Sequence, residues 1–140
     1  MPLNVLAIFI AAITAFVLGF MFHGPLLGKL WMRLADIHPT GNEKLSDMLP
    51  QLGWNFLTNL ITAAMLAVLY AFTETSPYLS GDGAIRGAHL GVMVWGGFIA
   101  TSSAVEVIWM GRKFNLWLFE ACCSMVIMAI MGAIIASMPA

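Results

Sequence analysis

The sequence predicts an all-α membrane protein with four transmembrane helices plus a short interfacial amphipathic helix after the first span. Four apolar stretches, residues 3–22, 52–72, 84–110 and 114–138, occupy most of the 140-residue chain. A run of about 20 largely uncharged residues at 1.5 Å per residue matches a hydrocarbon core of about 30 Å. Composition agrees, because 61% hydrophobic and 9% charged residues leave too little polar surface to coat a water-soluble globule, and lipid must cover the rest. A net charge of −1 offers no basic field to displace counterions from phosphates, which excludes a nucleic-acid partner.

The first span has no cationic segment ahead of it; the first Lys or Arg is Lys29. A signal peptide begins with such a segment, so the span is expected to be retained. After it, Leu27, Leu30, Trp31 and Leu34 share one helical face while Lys29, Arg33 and Asp36 share the other, the pattern of a helix lying in the interface. Residues 38–47 read as a polar loop rich in turn formers. The connection at 74–83, with Ser76-Pro77 and Gly81-Asp82-Gly83, reads as a short exposed turn. None of these segments is long enough for a soluble domain, so residues 1–140 form one domain. Lys29, Arg33 and Lys44 in the first connection and Arg112 and Lys113 in the third outweigh the lone Arg86 of the second. The positive-inside rule then puts the first and third connections in the cytoplasm and both termini outside.

Polar groups inside the spans need a reason, since a charge at mid-membrane costs about 2.5–3.5 kcal/mol even on the mild insertion scale. Asn55, Thr58, Asn59 and Thr62 recur at i, i+3, i+4 and i+7 and form a stripe expected to face other helices. Ser102, Ser103 and Glu106 lie near the end of the third span, and Glu120 and Ser124 are i, i+4 partners in the fourth. Counted from the helix ends, Asn55, Asn59, Glu106 and Glu120 all fall within about 5–12 Å of the same interface, with His23 on that side. One reading is a cytoplasm-facing polar cavity with Glu106 and Glu120 as proton or cation ligands, His23 as a third partner and the Asn side chains as donors. The other is structural: the acids pair with Arg112, Lys113, Lys29 or Arg33, and the Asn and Thr side chains join helices. Acids on separate helices at unconstrained spacing do not specify a metal site, and no cofactor is expected.

Gly87 and Gly91 form a Gly-x-x-x-Gly that Gly96, Ala100 and Ala104 continue, and Ala129, Gly132, Ala133 and Ala136 form a second small-residue ridge. Such ridges let helices approach closely, within one chain or between two. Cys122 and Cys123 are adjacent in an apolar run and read as packing residues, and His89 reads as a capped or solvated side chain.

The opening Met1-Pro2-Leu3-Asn4, the element Phe22-His23-Gly24-Pro25-Leu26-Leu27-Gly28-Lys29-Leu30-Trp31, the run Val94-Trp95-Gly96-Gly97-Phe98-Ile99-Ala100-Thr101 and the Gly111-Arg112 turn resemble the family catalogued as domain of unknown function 1761. The resemblance covers the whole chain. It implies a small four-helix protein of the prokaryotic inner membrane and assigns no activity. Tyr is usual in that family where this chain has His23, so the resemblance implies no shared role for His23.

The function these observations favour is small-solute or ion transport, proton-coupled, through a polar cavity near the cytoplasmic side, in a homo-oligomer because four short helices enclose little core. The binding residues expected are Glu106, Glu120, Asn55, Asn59, Thr58 and His23. The alternative is a structural or accessory subunit that binds a membrane protein partner through its small-residue faces. An intramembrane enzyme is the weakest reading: there is no His-Glu-x-x-His, no clear Ser-His dyad and no haem-type His pair.

Overall fold

A computed structural model describes residues 3–138. It is all-helical, with no strand among the described residues. The helices are α1 (Val5–His23), α2 (Gly28–Ala35), α3 (Leu45–Thr73), α4 (Gly83–Met110) and α5 (Phe114–Ser137). Four of them are long and apolar enough to cross a membrane. The shortest, α1, has 19 residues and reaches about 28 Å. The chain is a multi-pass membrane protein.

Asn4 caps α1 by accepting from the Ala7 amide at 3.0 Å, and its Nδ2 donates to the Met138 carbonyl at 3.0 Å. The start of α1 and the end of α5 therefore lie together, at what we call the terminal end. The other is the α2 end. There the chain turns at Gly24, where a Cβ would meet the Phe20 carbonyl oxygen at 2.7 Å, and enters α2, which keeps Lys29 and Arg33 exposed and Trp31 and Leu34 half-buried. In the following loop Glu43 accepts from the Thr40 amide at 2.7 Å, the Thr40 hydroxyl at 3.0 Å and the Gly41 amide at 3.0 Å. These bonds, the Thr40 amide first, hold its carboxyl below the usual range.

The second span begins earlier than residue 52. α3 starts at Leu45 because Leu45, Met48, Leu49 and Leu52 fall at i, i+3, i+4 and i+7 and extend its apolar face. The last three residues of the expected loop 38–47 are thus helical. Pro50 is accommodated within the helix, although it cannot donate to the Ser46 carbonyl four residues back.

α5 is the hub. It touches every other helix, whereas α1 and α4 do not touch each other among the described residues. α1 packs on α3, and their Ala11, Ala12, Ala15, Ala63 and Ala67 are buried in a core that also holds Ile8, Leu66, Leu79, Leu90, Met128, Met131 and Ile135. The glycine motif acts within the chain. A Cβ on Gly87 would lie 2.0 Å from the Gly132 carbonyl oxygen, and one on Gly91 2.1 Å from that of Met128. In its terminal half α4 therefore lies backbone against backbone on α5. Toward the α2 end the register changes through a π-helical segment, Trp95–Ala100. From its first residue onward the two helices are joined by longer polar side chains: Trp95 Nε1 donates to Ser124 Oγ at 3.0 Å and, beyond the segment, Trp117 Nε1 to Ser103 Oγ at 2.9 Å. At the terminal end Arg86 donates to the Leu79 carbonyl at 2.7 Å, the Gly81 carbonyl at 3.3 Å and the Ser76 carbonyl, and Ser80 donates its amide to His89 Nδ1 at 2.8 Å. His89 thus anchors a loop.

Candidate functional site

A cavity of about 400 Å³ (380 Å³) opens among α1, α2, α3 and α5 at the α2 end. Trp31, Met48 and Leu52 form its outer wall, and Phe16, Phe20 and Ile127 line its apolar depth. The amphipathic stretches that cover it are α2 and the early turns of α3. Its polar groups are His23, Asn55 and Asn59. No Asp, Glu, Lys or Arg lines it.

His23 Nδ1 lies 2.9 Å from the Gly19 carbonyl. A carbonyl oxygen only accepts, so Nδ1 carries the hydrogen and the neutral ring presents Nε2 as an acceptor. The ring is held edge-to-face on Trp31 and Phe119, with centroids 5.2 and 6.0 Å away. Asn59 Nδ2 donates to Asn55 Oδ1 at 3.2 Å. Among the described residues Asn55 Nδ2 and Asn59 Oδ1 then have no protein partner. With His23 as this tautomer the site offers one amide donor and two acceptors.

A second polar cluster forms on the α4–α5 hairpin. Gly111 takes a left-handed conformation, φ +69°, which turns the chain so that Arg112 donates to both Glu106 and Glu120. One guanidinium serves two carboxylates on different helices.

The sequence model of the family described as "Protein of unknown function (DUF1761)" matches residues 6–136. The chain belongs to this family. No curated protein and no solved structure matches the chain. Membership in DUF1761 bears out the resemblance read from the Gly24-Pro25 and Trp95-Gly96-Gly97 elements, and it carries no activity with it.

Within this DUF1761 chain the six candidate residues divide. His23, Asn55 and Asn59 come together in the cavity, while Glu106 and Glu120 meet at Arg112 and are absent from its lining. Thr58 is exposed, does not line the cavity and donates to its own helix, at the Asn55 carbonyl, 2.8 Å. Thr62 donates to the Thr58 carbonyl at 2.9 Å. The stripe on α3 thus spends its hydrogen bonds within α3, because a hydroxyl on a helix reaches the carbonyl one turn back more readily than a neighbouring helix. Among the described residues no three His, Cys, Asp or Glu side chains could hold a metal ion together. Trp31, Met48 and Leu52 complete the cavity, beyond the six residues the sequence marks as binding residues. Their signal is the pair of amphipathic faces, on α2 and on 45–52, which need a common apolar surface to cover.

Proposed function

We propose that the protein is a small-solute transporter of the prokaryotic inner membrane that admits an uncharged, hydrogen-bonding solute to the cavity between α1, α2 and α3. The observation that carries this reading is the pairing of polar atoms without a protein partner, Asn55 Nδ2 and Asn59 Oδ1, with a largely apolar cavity of ~380 Å³ that no Asp, Glu, Lys or Arg lines. A solute with one acceptor and one donor can pair with both atoms at once. An ion at the same place would lose its hydration with no countercharge to replace it, which favours a neutral solute over an ion. The excess of Lys and Arg on the α2 end favours a cytoplasmic opening. Toward the terminal end the alanine contact of α1 with α3 closes the path. Glu106 and Glu120, which share Arg112 on the α4–α5 hairpin, are the coupling candidates.

Thermal unfolding of the detergent-solubilised protein with a panel of uncharged polar solutes tests this, because a ligand of the native state raises Tm by mass action. A solute that stabilises wild type, leaves Asn59→Leu unshifted and enters proteoliposomes is the expected outcome. Stabilisation by charged solutes alone, or an equal shift in Asn59→Leu, overturns the reading.

A second reading, association of this chain with another copy through α4, is favoured by the open π segment. A Cβ at Gly96 or Gly97 would have no other atom within 4 Å, and Phe98 and Trp109 are 72% and 82% exposed. Cross-linking of Gly97→Cys in native membranes tests it; a monomer-only result removes it.

A further inference from the structure

A second cleft, of about 400 Å³, lies where the last turn of α2 meets the start of α5, and it is lined by Arg33, Leu34, Lys113, Phe114 and Asn115. It is separate from the solute cavity, with which it shares no lining residue. Six Lys and Arg occur in the whole chain, and two of them flank this one cleft. Among the described residues neither Arg33 nor Lys113 has a carboxylate partner, whereas neighbouring Arg112 has two. The cleft is built between packed elements, since α2 rests on α5. It also sits at the end of a helix long and apolar enough to cross a membrane, and anionic headgroups attract cations placed beside such an end.

We propose that this cleft binds a phosphate group, and that the phosphate is the headgroup of an anionic phospholipid. The apolar part of the lining decides between a lipid and a free anion. Leu34 and Phe114 form one wall, Phe114 is 57% exposed, and Leu118, one turn further along α5, is 44% exposed. A lipid whose phosphate bridges Arg33 and Lys113 lays its acyl chain along Phe114 and Leu118; inorganic phosphate gains nothing from that wall. Arg33 offers the planar fork suited to two phosphate oxygens and Lys113 a point charge beside it. The Asn115 side chain adds a neutral donor.

Native mass spectrometry of the full-length protein tests this with phosphatidylglycerol, phosphatidylcholine and inorganic phosphate as probes. Phosphatidylglycerol is expected to bind more tightly than phosphatidylcholine. Arg33→Gln/Lys113→Gln is expected to weaken it about thirty-fold, roughly five-fold per cation, and Lys29→Gln/Lys44→Gln, which removes the same charge from the same face, to leave it nearly unchanged. If the double variant does not fold, the single variants are each expected to show the five-fold loss. Equal losses in the two double variants, or no preference between the lipids, overturn the site. Inorganic phosphate binding as tightly as the lipid overturns the lipid assignment.

Discussion

Arg112 serves Glu106 and Glu120 at once, and this makes the three residues unequal. Replacing either acid leaves Arg112 one partner, while Arg112→Gln leaves two half-buried carboxylates facing each other without a cation. Hydrogen bonds to charged groups contribute about 1.5–3 kcal/mol each. Arg112→Gln is therefore expected to lower Tm more than Glu106→Gln or Glu120→Gln, by thermal unfolding at neutral pH. Equal effects would mean that the acids find other cations. The sequence shows both acids and their depth without effort, because charges are rare in an apolar chain. It does not show which of Arg112, Lys113, Lys29 or Arg33 pairs with them, because that depends on how Gly111 turns the hairpin. His23 and the Asn pair are likewise visible as polar residues, and only the packing of α1 against α3 shows that they share a cavity without the acids.

Among the elements, α4 carries two different contacts with α5. Its terminal half depends on the absence of side chains at Gly87 and Gly91, and a methyl group there meets backbone that cannot move away as a side chain would. Gly91→Ala is expected to destabilise by about 1–3 kcal/mol, the range for overpacking, and Gly97→Ala, at an open position, to leave Tm within error or raise it slightly. Similar losses at both sites in thermal unfolding would contradict a contact confined to the terminal half. The Gly-x-x-x-Gly was legible in the sequence; its partner, in the same chain, was not. The π segment has no local signal beyond the Gly96-Gly97 pair, since it reflects the register in which α4 meets α5. The early start of α3 was hidden because Ser46 and Asp47 continue the polar, turn-forming stretch 38–47, while the apolar period of 45–52 is weaker than a span.

At the scale of the molecule, the four spans were legible because hydropathy and length alone require them. The central place of α5 had a weaker signal: its apolar residues are spread over every face, as suits a helix surrounded by others. How the remaining helices arrange around it, and so where the cavity opens, depends on small-residue contacts between distant segments. That arrangement makes the cavity that holds His23, Asn55 and Asn59, with the buried alanine core one turn deeper. Its most direct test uses two positions on the same face of α3, one turn apart. In a Cys122→Ala/Cys123→Ala background, Asn59→Cys and Ala63→Cys are exposed in turn to a membrane-impermeant maleimide from the side bearing α2. The account predicts that Asn59→Cys, in the cavity lining, reacts, and that Ala63→Cys, 0% exposed in the core, does not. Reaction at both positions, or at neither, would contradict it.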